Sequence, residues 1–259
     1  MTGNPSLVFV PGAWHTAEYW GKVKSAMESH KYRCTSVTLP TTQSTSTSVN
    51  FSHDVKAVQD AIVAETAQGF DVVVAVHSYG GAVGSSAMKG FTQQSSDNAS
   101  TGDTKTGRVI GLFMVATGFV YVGKSFLEAF GGKPPPTWEA DYENNIMTIC
   151  VDPIDMLYHD LPEEEAKEWV GKLTPNALTS CTTGYEVSYE GWRDVPAWLI
   201  MTKEDRAFPF EAQKMISRAA EKAGAMLTKR EIDSSHSPML SKPGEVVDFL
   251  LEAIAAFTT

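Results

Sequence analysis

The stretch that most restricts this chain is Asp71-Val72-Val73-Val74-Ala75-Val76-His77-Ser78-Tyr79-Gly80-Gly81-Ala82-Val83-Gly84. An apolar run that breaks at a serine and passes into small residues reads as a strand buried on both faces, a sharp turn and a helix. A side chain held at such a turn needs neighbours without bulk two and three positions on, and Gly80 and Gly81 supply this. Tyr79 then opens the helix, so its backbone N–H has no intrahelical partner and is aimed where negative charge grows if Ser78 attacks a carbonyl. The turn matches the pattern G-x-S-x-G except at its first position, which Val76 holds. Many parallel-sheet proteins turn into a helix through Ser and Gly, so the residues downstream decide what this corner means.

Apolar and β-branched runs at 6–10, 33–39, 108–115, 196–202 and 226–232 predict five further strands. Helices are expected at 18–29, from His53 to Gly69 with Ser52 as cap, at 210–223 and at 241–257. Strands alternating with helices imply an α/β fold: a parallel sheet of about six strands with helices on both faces and right-handed crossovers. The polar runs at 41–48 and 93–107 read as surface loops. Residues 119–192 break the alternation and read as a mostly helical cap, with helical stretches at 139–150 and 163–173. The expected organisation is therefore a core of 1–118 and 193–259 with a cap insertion of 119–192. At 259 residues and 42% hydrophobic, the chain can bury one large core.

The net charge of −10 argues against nucleic acid or an anionic membrane as partner, since both need a basic face. The three cysteines, Cys34, Cys150 and Cys181, are odd in number and lack metal-ligand spacing, so neither a disulfide framework nor a metal site is expected. No cofactor motif is present either. The first apolar run is too short for a signal peptide or a membrane span, which makes a cytoplasmic enzyme the expectation.

In parallel sheets the active site lies at the carboxyl ends of the strands. Those ends carry Ala13, Ser78, the pair Glu204-Asp205, and His236. A serine nucleophile needs a base within hydrogen-bond reach and a third group to hold that base in the right tautomer. Ser78, Asp205 and His236 supply the three in the order Ser, acid, His. Glu204 competes with Asp205, whereas Asp233 stands too close in sequence to His236 and reads as part of a turn.

Together Val10-Pro11-Gly12-Ala13-Trp14-His15, Val76-His77-Ser78-Tyr79-Gly80-Gly81, Glu204-Asp205-Arg206 and Ser235-His236-Ser237-Pro238-Met239-Leu240 resemble the α/β-hydrolase superfamily. The nearest group is that of plant methyl esterases and hydroxynitrile lyases with their microbial relatives. The resemblance spans nearly the whole chain, and it implies an α/β-hydrolase fold with an oxyanion hole made by the Ala13 and Tyr79 backbone N–H groups. Pro11 and Val76 depart from that pattern. Trp14 and His15 are candidates to line the substrate site, His15 standing equally as a structural hydrogen-bonding group. Of the other apolar candidates, Phe119, Tyr121, Trp138, Met147 and Met239, none is singled out.

The expected activity is a cofactor-free hydrolysis of a carboxylic ester or lactone of a small to medium-sized, partly apolar metabolite through an acyl-enzyme on Ser78. The rival is a lyase using the same triad for carbon–carbon or cyanohydrin cleavage; a ligand-binding protein on a hydrolase scaffold is the third reading. In the lyases of the resembling group a threonine takes the place of Gly12 and a lysine that of Ser237. The expected partner is a small molecule, and monomer and homodimer are both left open.

Overall fold

The computed structural model describes residues 3–92 and 106–259, so most of the 93–107 run lies outside the described residues. The main strands are β1 (Ser6–Val10), β2 (Cys34–Ser36), β3 (Val72–His77), β4 (Val109–Val115), β8 (Ala197–Thr202) and β9 (Leu227–Ile232). They form one six-stranded sheet in the order β2-β1-β3-β4-β8-β9. Every pairing in it is parallel, as connections through helices require.

Alternation along the central strands divides the interior in two. Val8, Val10, Val74, Val76, Leu112 and Met114 share a buried cluster with residues of α2 (Phe51–Thr66) and α3 (Gly80–Ala87). Leu7, Phe9, Val73, Ala75, Phe113 and Val115 share another with residues of α1 (Gly21–Ser29) and the last long helix, Pro243–Phe257. Central strands buried on both faces explain why their sequences are unbroken apolar runs. Each fully buried Val or Leu contributes about 1.5–3 kcal/mol of transfer free energy, which fixes the strand register.

Two local expectations are corrected. The cap of α2 is Asn50, not Ser52: its side chain accepts the Ser52 N–H at 3.1 Å, and His53 completes a capping box. Extended backbone at Asn50 brings its short amide over the first turn, so buried Phe51 starts the helix. Residues 139–150 are a hairpin rather than a helix. β5 (Trp138–Asp141) pairs antiparallel with β6 (Ile146–Ile149), which also pairs with β7 (Asn176–Ala177). The Asp141 carboxylate accepts the Glu143 and Asn144 N–H groups at 3.0 and 2.9 Å, and Asn145 takes φ 55°. Such an Asx turn with a left-handed asparagine ends any helix.

The region between β4 and β8 is therefore a small antiparallel sheet with short helices, the longest being Glu163–Gly171. Among the described residues it has no separate core. Trp138, Met147, Cys181 and Tyr185 join the cluster on the α2 side of the main sheet, and Met156, Tyr158 and Trp169 join the other. No helix among the described residues is long and apolar enough to cross a membrane.

Candidate active site

Ser78 ends β3 at the turn into α3, with φ 49°. A left-handed serine costs about 1–2 kcal/mol, and its neighbours hold it there. Its N–H reaches the Val115 carbonyl at 3.2 Å, while its own carbonyl accepts the Gly81 N–H at 2.9 Å and the Thr117 hydroxyl at 2.5 Å. The glycines are required by proximity. A Cβ on Gly80 would lie 2.4 Å from the Pro11 carbonyl oxygen, so the elbow and the loop after β1 pack backbone to backbone. Val76 fits the elbow because Gly84 faces it from α3: a Cβ there would lie 2.4 Å from Val76 Cγ1.

His236 lies on the loop after β9, and its Nδ1 is 2.7 Å from Asp205 Oδ2 on the loop after β8. Asp205 also accepts from Thr202 Oγ1 (2.8 Å), Gln213 Nε2 (3.2 Å), Ala207 N (2.9 Å) and Phe208 N (2.7 Å). With its carboxylate so fixed, His236 keeps its Nδ1 proton toward Asp205, which leaves Nε2 as the basic nitrogen. Glu204 is exposed, and it meets the loop of His236 through its backbone N–H to the Ser234 carbonyl at 3.1 Å. Asp233 pairs with Lys203 at 2.6 Å.

A cavity of about 380 Å³ opens onto Ala13, Ser78, Tyr79 and His236 together. The Ser78 hydroxyl makes no hydrogen bond among the described residues, so it and His236 face the same space without being joined. The Ala13 and Tyr79 backbone N–H groups likewise have no partner among the described residues. Of the non-glycine residues with positive φ, Trp14, Ser78 and Ala116 all line this cavity. Backbone strain of this kind concentrates at functional sites.

Trp14 lines the cavity and His15 does not. His15 is buried behind the loop, donating Nδ1–H to the Ala13 carbonyl at 2.7 Å and meeting the Tyr158 hydroxyl with Nε2 at 2.5 Å. Burial lowers its pKa to about 3, so the ring is neutral and serves as structure. His77 is also buried, and burial followed by the charges of His236 and His15 holds it well below the ordinary histidine range. Its Nε2–H donates to the His236 carbonyl at 2.9 Å, fixing the loop that carries His236.

Phe119, Tyr121, Trp138 and Met147 line the cavity, whereas Met239 is packed in the core on the other side of the sheet. Phe126, Phe130, Tyr185, Phe208 and Cys181 add apolar wall that the sequence did not single out. Among the described residues no carboxylate lines it. Asp160, also missed, accepts Ser235 N–H at 3.0 Å and the Ser234 hydroxyl at 3.1 Å, tying the region between β4 and β8 to the His236 loop. Burial would raise its pKa, but hydrogen bonds from Ser235, Ser241 and Ser234 keep it below the usual carboxylate value. Among the described residues no group of His, Cys, Asp and Glu could hold a metal ion.

The family model for alpha/beta hydrolases matches residues 7–249. The chain belongs to the alpha/beta hydrolase family. It is similar to the alpha/beta hydrolase nvfD of Aspergillus novofumigatus, 26% identical over 252 residues and 96% of each chain. Methylesterase 1 of Arabidopsis thaliana is 25% identical, covering 97% of this chain and 96% of its own length. The crystal structure of the Arabidopsis methylesterase MES16 superposes with a TM-score of 0.75 at 18% identity, covering 97% of this chain and 99% of that one. This alpha/beta hydrolase thus has esterase-type relatives, and its sheet is the family's fold.

Proposed function

We propose that this protein hydrolyses a carboxylic ester or lactone by a covalent route on Ser78. The observation that carries this reading is one apolar cavity bounded by a strained serine, an imidazole oriented by a buried carboxylate, and two backbone N–H groups without a partner among the described residues. Ser78 Oγ attacks the carbonyl carbon while His236 Nε2 takes the hydroxyl proton. Asp205 holds the tautomer and stabilises the imidazolium that forms. The Ala13 and Tyr79 N–H groups receive the oxyanion, His236 returns the proton to the departing alcohol, and water repeats the cycle on the acyl-enzyme. The aromatic and aliphatic wall selects a partly apolar substrate, and the methylesterase names among the relatives support an ester.

Cyanohydrin cleavage is disfavoured at two positions. A Cβ on Gly12 would lie 2.9 Å from Ser78 Cβ and 3.0 Å from His77 Nδ1, so a threonine there could not enter without displacement. Ser237 is fully buried with its hydroxyl 2.5 Å from the Tyr19 hydroxyl, so it can neither reach nor neutralise an anionic leaving group.

The test is a panel of esters and lactones with rapid quench and intact mass. We expect an acyl adduct on Ser78 and a burst of alcohol. Ser78→Ala should fold and lose at least about 10⁴-fold in kcat. Carbon–carbon cleavage without an adduct, in an enzyme inert to every ester tried, would establish the lyase.

A further inference from the structure

The mechanism leaves a ring of buried polar groups unused. Thr41, Asp54, Asn176 and Ser180 are each fully buried, and none of them bonds to Ser78, Asp205 or His236. Asn176 Oδ1 accepts the Trp14 backbone N–H at 3.1 Å and lies 3.4 Å from Thr42 Oγ1, while its Nδ2 donates to Ser180 Oγ at 3.0 Å. The Ser180 carbonyl lies 3.2 Å from the Tyr79 hydroxyl, which makes a shorter 2.7 Å contact to Asp54 Oδ2. Asp54 accepts the Thr41 N–H and hydroxyl at 2.9 and 2.6 Å, and the Thr41 carbonyl accepts the Ala177 N–H at 2.9 Å. The circuit closes at the residue next to Asn176.

This ring touches both halves of the proposed oxyanion hole. The Trp14 N–H belongs to the peptide that follows Ala13, and Tyr79 carries the second donor N–H on its own backbone. Trp14 is strained at φ 63°, and among the described residues its hydrogen bonds all run to the excursion between β4 and β8. Besides Asn176, the Met147 carbonyl accepts its indole N–H at 3.0 Å, and Thr174 donates its N–H and hydroxyl to the Trp14 carbonyl at 3.0 and 3.1 Å. An oxyanion is stabilised only when both donors stand within about 2.7–3.1 Å of it, so their separation must be held against thermal motion. Buried polar rings are suited to that, because each broken bond leaves a group unpaired in a low-dielectric interior.

We propose that Asn176 is a positioning residue of the oxyanion hole, coupled through Ser180 and the Tyr79 hydroxyl to Asp54, so that the cap sets the spacing of the Ala13 and Tyr79 donors. The proposal rests on the reading of those two N–H groups as the oxyanion hole.

The experiment compares wild type with Asn176→Ala, Tyr79→Phe and the double variant on one ester of the panel. A trifluoromethyl ketone analogue reports oxyanion binding, and the isosteric unreactive ether reports ground-state binding. Asn176→Ala should lose about 10- to 100-fold in kcat and in trifluoromethyl ketone affinity alike, with KM and ether affinity within about threefold. Tyr79→Phe, which removes one hydroxyl and keeps the fold even if Asn176→Ala does not, should lose about tenfold in the same two readings. The double variant should lose less than the product of the singles, because both break one ring. Unchanged ketone affinity in both variants, or a rise in KM alone, overturns the proposal in favour of a cavity-shaping role. Failure of the underlying site reading looks different: a fluorophosphonate would then leave Ser78 of the wild type unlabelled.

Discussion

Asp205 and Asp54 are both buried aspartates beside the site, and their surroundings make them different devices. Asp205 accepts five hydrogen bonds, two from fixed backbone N–H groups and one from an imidazole able to take up a proton. Asp54 is met by one N–H and two hydroxyls, none of which can become positive. Burial therefore outweighs its hydrogen bonds and raises its pKa to about 6. The lesson is that burial alone does not make a carboxylate an orienting group. The donors around it do, and where they are hydroxyls the carboxyl becomes a strut whose protonation changes in the physiological range.

The contrast breaks most visibly at Asp205. Asp205→Asn should fold yet lose at least about 10³-fold in kcat, since an amide can present N–H to Nδ1 and favour the wrong tautomer. Loss of less than tenfold, with the thermal melt unchanged, would erase the difference between the two aspartates. Asp54 is sharpened by stability rather than rate. Its raised pKa means that the folded state binds the proton more tightly than the unfolded chain. Stability from this group is thus full below about pH 4 and is lost as pH rises through about 6, on the order of 2–3 kcal/mol. Asp54→Asn should lack that slope, so the difference between the two proteins' denaturant midpoints should change between pH 4 and pH 7; parallel curves would show an ordinary carboxylate. The smallest effect belongs to Glu204→Gln, expected within threefold of wild-type kcat, because only its backbone serves the site. A loss comparable to that of Asp205→Asn would move the orienting role by one residue.

The sheet and the placing of Ser78, Asp205 and His236 at strand ends were legible because their signals are local or topological. Buried parallel strands read as unbroken apolar runs, and Ser78, Asp205 and His236 each follow a strand. The 139–150 hairpin was not legible. The Glu, Ala and Asp of β5 disfavour a strand, the Ile and Thr of β6 span only four residues, and β6 is completed by Asn176–Ala177, a partner remote in sequence. Asp160 and Asn176 were invisible for a related reason: a lone polar residue in an excursion reads as surface until its partners are known. Asp54 did leave a trace, since it stands three residues after Phe51 and four before Val58, on the apolar stripe of α2. His15, for which the sequence left a lining and a structural role level, is held by the Ala13 carbonyl and the Tyr158 hydroxyl and stays out of the cavity lining.

The exchange of bulk between Val76 and Gly84 has a consequence for how such chains are found and redesigned. The elbow needs a certain free space, and here that space is conceded by the helix instead of the strand, so the two positions act as one unit of volume. A search pattern written position by position sees a defect at Val76 and cannot see its remedy eight residues later. For the engineer the pair is a single dial. Enlarging position 84 is closed while Val76 stays, and any repacking of the turn has to move both side chains in the same step.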